Sequence, residues 1–135
     1  MDPIERYNRG NAFGLENNLE LEVIEPGHIR YTMKVEKKHF ATPELVHGGA
    51  LAGFMDAVLS LAAFSAVKDE GKVVATVEFK INYLKAVKRE CTLTGLGKVI
   101  KKGKQIIVVN GEILDGEGSL VATGTGSIMP LNAGT

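Results

Sequence analysis

The sequence predicts an α+β fold, an antiparallel sheet curled around one long central helix, and three observations predict it. Between Gly48 and Val67 the only ionisable side chain is Asp56, so a helix formed there is apolar all round and must be enclosed all round. The segments on either side alternate apolar and polar residues with a period of two, the pattern of half-buried strands. Pro26-Gly27, "KKGK" and "DGEG" interrupt those segments with the glycines that tight turns require.

Taken in order, residues up to about Asn18 are polar and irregular, with a short helix expected around Pro3 to Asn8, where proline suits a first helical position. "LELEVIEPGHIRYTMKVE" then reads as a hairpin. Leu19, Leu21 and Val23 alternate with acids, and Ile29, Tyr31, Met33 and Val35 with polar residues. The loop "KKHFATPELV" leads into the helix. After it, "KVVATVEFKINYL" places Val73, Ala75, Val77, Phe79, Ile81 and Tyr83 on one side of a strand and Thr76, Glu78 and Lys80 on the outer side, where a partner could cover them. Three more strands are expected near Glu90–Ile100, Gln105–Leu114 and Ser119–Met129, completing a four-strand meander. No linker or repeat divides the chain, so residues 1–135 are expected to form one domain.

Sixteen basic residues balance sixteen acidic ones. No overall field favours nucleic acid or an anionic membrane, and any anionic ligand must be held locally. Gly48–Val67 approaches the length that crosses a bilayer. Its Ala and Gly content, the acid near its middle and the sheet pattern that follows favour a buried core helix instead. The single cysteine, Cys91, cannot form an intrachain disulfide, and the N-terminus has neither a basic n-region nor an apolar h-region; a cytoplasmic protein is the expectation. His28, His39 and His47 have no spacing that suggests zinc, and no glycine-lysine phosphate loop is present, so neither a metal nor a cofactor is expected.

The chemistry centres on Asp56. An unpaired carboxylate among Leu51, Phe54, Met55, Val58 and Leu59 would cost several kcal/mol in lost hydration or take up a proton. At the helix start, "HGG" offers free backbone N–H groups and close approach, conditions that stabilise an oxyanion. Two glycines there can equally permit only a sharp turn. Nine residues along a helix amount to about two and a half turns, which leaves the two positions half a turn out of phase, and a rise of about 13.5 Å, so His47 and Asp56 of one chain cannot meet at one small group. Cooperation requires Asp56 of one subunit and the helix start of another, across a two-fold interface. Ser60, one turn after Asp56, either orients the carboxylate or bonds back to its own i−4 carbonyl.

"HGGALAGFMD", with the acid nine positions after the histidine, resembles the hotdog-fold acyl-CoA thioesterases of the phenylacetate-pathway and 4-hydroxybenzoyl-CoA type. The resemblance runs from about Leu19 to Met129 and includes "VVATVEFKINYLKAV" and the turn "KKGKQ". It implies a sheet wrapped around the helix, subunits that join their sheets as a homodimer or homotetramer, and active sites across the interface. By position, Asp56 is similar to the catalytic carboxylate, Gly48 to the residue whose N–H binds the carbonyl oxygen, and His47 to the side chain at that helix start. Thr76 matches a hydroxyl that helps place water, and Ser60 a hydroxyl of one branch. The family usually has Asn or Gln six residues before the histidine, where this chain has Ala41, which can neither hold a water nor polarise a carbonyl; Thr42 and Glu44 are the nearby polar candidates.

Thioester hydrolysis passes through a tetrahedral oxyanion and needs a donor on one side of the carbonyl and a base or nucleophile on the other. Coenzyme A adds phosphate charges that lysines and arginines must meet. Lys85, Lys88 and Arg89 are candidates, with Lys104 and its neighbours Lys98, Lys101 and Lys102. The expected function is hydrolysis of an acyl-CoA substrate. The competing readings are a non-catalytic binder of acyl-CoA or a small apolar ligand, and a hydratase, whose catalytic-histidine pattern is not found.

Overall fold

A computed structural model of the chain describes residues 1–134; position 135, the last of the expected domain, lies outside the described residues. The chain begins with two short helices, α1 (Pro3–Gly10) and α2 (Ala12–Glu16). Asp2 caps α1 by accepting from the Ile4 and Glu5 amides at 3.1 and 3.3 Å, with Pro3 in the first turn. Asn11 caps α2 by accepting from the Gly14 amide at 3.0 Å. The sequence reading placed α1 and missed α2, whose five residues are too short for a 3.6-residue period to show.

The hairpin β1 (Leu19–Glu25) and β2 (His28–Lys34) turns at Gly27, whose φ of +85° is one that L side chains rarely adopt. The Gly27 amide donates to Ser65 Oγ at 2.9 Å, fastening the turn to the far end of the long helix. A small ladder, β3 (Phe40–Thr42) with β4 (Leu45–Val46), leads into α3 (Gly48–Val67). Then follow β5 (Lys72–Tyr83), β6 (Thr92–Lys102), β7 (Ile107–Leu114) and β8 (Leu120–Asn132).

The six long strands form one antiparallel sheet in the order β1-β2-β6-β7-β8-β5, and it curls around α3 as expected. The expected four-strand meander is corrected: only β6, β7 and β8 run as neighbours. The strand that follows the helix lies at the far edge against β8, while β6 pairs with β2. This order joins the first hairpin to the rest and makes β1 and β5 the edge strands of the six-stranded sheet among the described residues.

Phe54, Met55, Val58, Leu59 and Ala62 of α3 are fully buried against Ile29, Leu93, Ile107, Val109, Ile113 and Ile128 of the sheet. The helix comes close to β6 because glycines face it. A Cβ on Gly97 would stand 2.6 Å from the Val58 carbonyl oxygen, and one on Gly95 would stand 2.3 Å from Val58 Cγ2.

One irregularity decides the site. Along β5 and β8 the register passes from Thr76↔Ile128 to Glu78↔Ser127, so Val77 is an extra residue, a β-bulge. One added residue exchanges the faces of everything on one side of it. Phe79 and Ile81 therefore pack on the core, as expected, while Val73 and Val77 turn outward, 41% and 53% exposed, and Thr76 turns inward to the helix. The expectation that Thr76 lies on the outer face is thus corrected.

Candidate active site

At the start of α3 the His47 imidazole acts as the cap. Its Nδ1 accepts from the Gly49 amide at 2.7 Å, so in the neutral ring the proton sits on Nε2. The amides of Ala50 and Leu51 both donate to the His47 carbonyl, at 3.0 and 3.4 Å. That leaves the Gly48 N–H without a partner among the described residues, on an exposed glycine. The Tyr83 hydroxyl donates to the Gly48 carbonyl at 2.9 Å and its ring lies along the Gly48 Cα. Sequence reasoning treated Tyr83 only as an apolar strand position; its proximity to the helix start depends on where β5 lies in the sheet.

Asp56 is half-buried at mid-helix, and Thr76 Oγ1 donates to its Oδ1 at 2.6 Å. This bond resolves the puzzle of an acid in an apolar helix, since a carboxylate that accepts a hydrogen bond keeps part of the solvation that burial removes. Ser60 does not orient the acid within the chain; its hydroxyl donates to the Ala57 carbonyl at 3.3 Å. Tyr7 of α1 interacts with Tyr31, and its acidity is suppressed first by burial, with the Tyr31 bond opposing and the Asp56 charge adding to the suppression.

Asp56 and Gly48 are held on one helix, eight residues and a rise of about 12 Å apart. Thr42 and Glu44, the polar candidates near Ala41, are exposed and bonded to each other, the Glu44 amide donating to Thr42 Oγ1 at 3.3 Å.

Lys85, Lys88 and Arg89 line one groove of about 640 Å³ with Val87, Cys91, Asp115 and Glu117. Lys85 pairs with Asp115 at 2.6 Å and Arg89 with Glu117 at 3.0 Å. Lys85 and two backbone amides hold the Asp115 carboxyl down at about 2. Lys88 makes no ion pair among the described residues. Lys104 does not join this group. It lines a separate hollow with Val67, Glu70, Lys72 and Lys102, at the opposite end of α3, which at twenty residues is about 30 Å long. Among the described residues no cluster of three His, Cys, Asp or Glu side chains is placed to hold a metal ion.

Residues 44–122 match the family profile described as the thioesterase superfamily, more than half of the chain. The chain belongs to that superfamily. As a member of the thioesterase superfamily it is a thioester hydrolase by class. It is 32% identical over 109 residues to a provisionally named esterase of Saccharolobus solfataricus, a match that covers 81% of this chain and 71% of the relative.

Among solved structures, the thioesterase fold superimposes with a TM-score of 0.88 on the PaaI protein from the phenylacetic acid degradation operon of E. coli, covering 96% and 91% of the two chains; at 22% identity this likeness concerns the fold alone. It superimposes with a TM-score of 0.77 on a hypothetical thioesterase of Streptococcus pneumoniae TIGR4 in complex with coenzyme A, at 30% identity and with 85% and 90% coverage. A Streptococcus mutans UA159 protein bound to acetyl-CoA also gives a TM-score of 0.77, at 26% identity and with 85% and 90% coverage.

Proposed function

We propose that this thioesterase hydrolyses acyl-CoA esters at a site shared between two copies of the chain. The observation that carries the reading is the pairing of a half-buried, hydroxyl-bonded carboxylate with one unused helix amide that it cannot reach within its own chain. The Gly48 N–H of one copy donates a hydrogen bond to the thioester carbonyl oxygen as it becomes an oxyanion. Asp56 of the other copy supplies the attack, directly or by taking a proton from water. The new C–O bond forms, the carbonyl pair moves onto oxygen, and collapse breaks the C–S bond with the thiolate of coenzyme A as leaving group. Where Asp56 activates water, the proton it takes passes to the thiolate and the free acid is the product; where Asp56 attacks directly, water then hydrolyses the mixed anhydride, restoring the carboxylate and supplying the proton of the thiol.

Coenzyme A as the leaving group is supported by the Lys85, Lys88 and Arg89 groove and by the neighbours that carry coenzyme A or acetyl-CoA. Assembly as a homodimer or homotetramer is supported by the open edge of β5 and the apolar residues beside it on the outer face, Val73, Val77, Met129 and Leu131, each at least 36% exposed. A non-catalytic binder needs no carboxylate held by a hydroxyl at the middle of its core helix.

The test is thiol release from short, medium, long and aromatic acyl-CoA esters by the parent and by Asp56→Asn. The Asn variant should keep its melting temperature within a few degrees and lose about 100-fold or more in kcat with little change in KM. A variant rate close to the parent's would remove Asp56 from the mechanism.

A further inference from the structure

The N-terminal helices supply a feature that the carboxylate, the amide and the basic groove do not use. Phe13, on α2, rests on α3 at Gly53, and a Cβ built on that glycine would stand 3.0 Å from Phe13 Cζ. Glycine is a poor residue for a helix interior. Here it makes a notch in which the ring tip sits. Gly53 is three residues before Asp56, so the notch and the acid share one face of α3, less than one turn apart along the axis. The ring is half docked and 50% exposed.

The same segment is held to α3 at a second point through Tyr7, whose ring meets Phe64 at 5.8 Å between centroids and whose hydroxyl interacts with Tyr31. Asn11, between the two helices, donates to the Tyr31 hydroxyl at 3.4 Å. Pro3–Glu16 is therefore fastened along the face of α3 that carries Gly53 and Phe64, with the half-exposed ring of Phe13 held less than one turn from Asp56 along the helix axis.

We propose that Phe13 is a specificity-determining residue, its ring on Gly53 closing the acyl side of the active site so that compact acyl groups fit beside Asp56 and long ones do not. This rests on Asp56 being the catalytic carboxylate of acyl-CoA hydrolysis. The physical reason is steric: the space along α3 next to the acid is already filled by an aromatic ring, and a chain of several methylenes must displace it.

The experiment compares kcat/KM for acetyl-CoA, hexanoyl-CoA and dodecanoyl-CoA in the parent, Phe13→Ala and Phe13→Leu, with Gly53→Ala in the parent and in the Phe13→Ala background. Phe13→Ala should raise the dodecanoyl-to-acetyl ratio by about tenfold or more, the scale on which pockets discriminate by methylene groups. Phe13→Leu, which keeps apolar cover over the notch, should raise it less. Gly53→Ala should change selectivity only where there is a ring for its methyl group to push, so its effect should vanish once Phe13 is alanine. An active parent whose ratio is unmoved by Phe13→Ala, or a Gly53→Ala effect that persists without the ring, overturns the proposal and leaves the acyl-CoA reading standing. A parent inactive on every acyl-CoA ester overturns both.

Discussion

Thr76 Oγ1 lies 2.6 Å from Asp56 Oδ1, twenty positions away in sequence, because one extra residue, Val77, turns the first half of β5 to face the helix. Without that bulge the hydroxyl would face outward and the carboxylate would be left without the bond.

Thr76 should therefore act by holding the acid. Thr76→Val, which keeps the shape and removes the donor, should lower kcat by about tenfold or more, whereas Thr76→Ser should stay within a few-fold of the parent. Steady-state kinetics on the best acyl-CoA ester measure both. Equal losses in the two variants would point to packing in place of the hydrogen bond.

Gly48 tests the oxyanion donor. Proline suits a first helical position, and His47 already has φ −65° and ψ 131°, values that a following proline favours. Gly48→Pro thus removes one N–H and should leave the helix intact while lowering kcat by about 100-fold or more. Gly48→Ala, whose Cβ would meet the Tyr83 ring at an ordinary 3.6 Å, should keep most of the activity. Mixing Gly48→Pro with Asp56→Asn after subunit exchange should restore part of the activity, since one of the two composite sites is then whole. Mixed oligomers with no activity, beside a parent that sediments as an active monomer, would refute a shared site.

Lys88→Ala and Arg89→Ala should raise KM for acyl-CoA several-fold, with kcat little changed. The same variants should not affect a thioester of pantetheine, which lacks the nucleotide phosphates, and their effect should shrink in high salt. Lys104→Ala, at the other end of α3, gives the comparison within one chain: two separate basic hollows predict no change there unless the partner subunit brings them together.

His39 should make stability depend on pH. It is 4% exposed; its Nδ1 accepts from the Glu36 amide at 2.9 Å, and Nε2 lies 3.1 Å from Asn17 Oδ1. This geometry suits the neutral ring. Burial, with Lys38 adding and Glu36 opposing, holds its pKa below the ordinary value. A depressed folded pKa means that the unfolded chain takes up the proton first. The stabilisation is thus present above about pH 6.5 and is lost as pH falls through the folded pKa. Urea midpoints from about pH 8 to about pH 5 should decline for the parent. They should decline less steeply for His39→Asn, which should start from a lower midpoint at neutral pH.

Gly97→Ala should destabilise the fold by about 1–3 kcal/mol, because a methyl group there meets the backbone of α3, which cannot turn aside as a side chain can. Denaturant unfolding measures it, and a loss below about 0.5 kcal/mol would show that the helix can lift from β6 at little cost.

The sequence by itself determined the long helix, because an apolar run with one acid can only be enclosed, and the strands, because a period of two over many residues has no other stable reading. It also singled out Asp56 and the "HGG" start, since a lone charge and a glycine pair are visible without coordinates. Only the tertiary structure decided which strands are neighbours, because pairing depends on which backbone edges remain open once the whole sheet is assembled. It alone turned Thr76 inward, because a bulge is a mismatch between two strands and leaves no mark in the alternation of one. It placed Lys104 a helix length away from Lys85, Lys88 and Arg89, which a count of charges cannot do, and seated Phe13 on Gly53, since a notch is made by two segments forty residues apart that meet only in the folded chain.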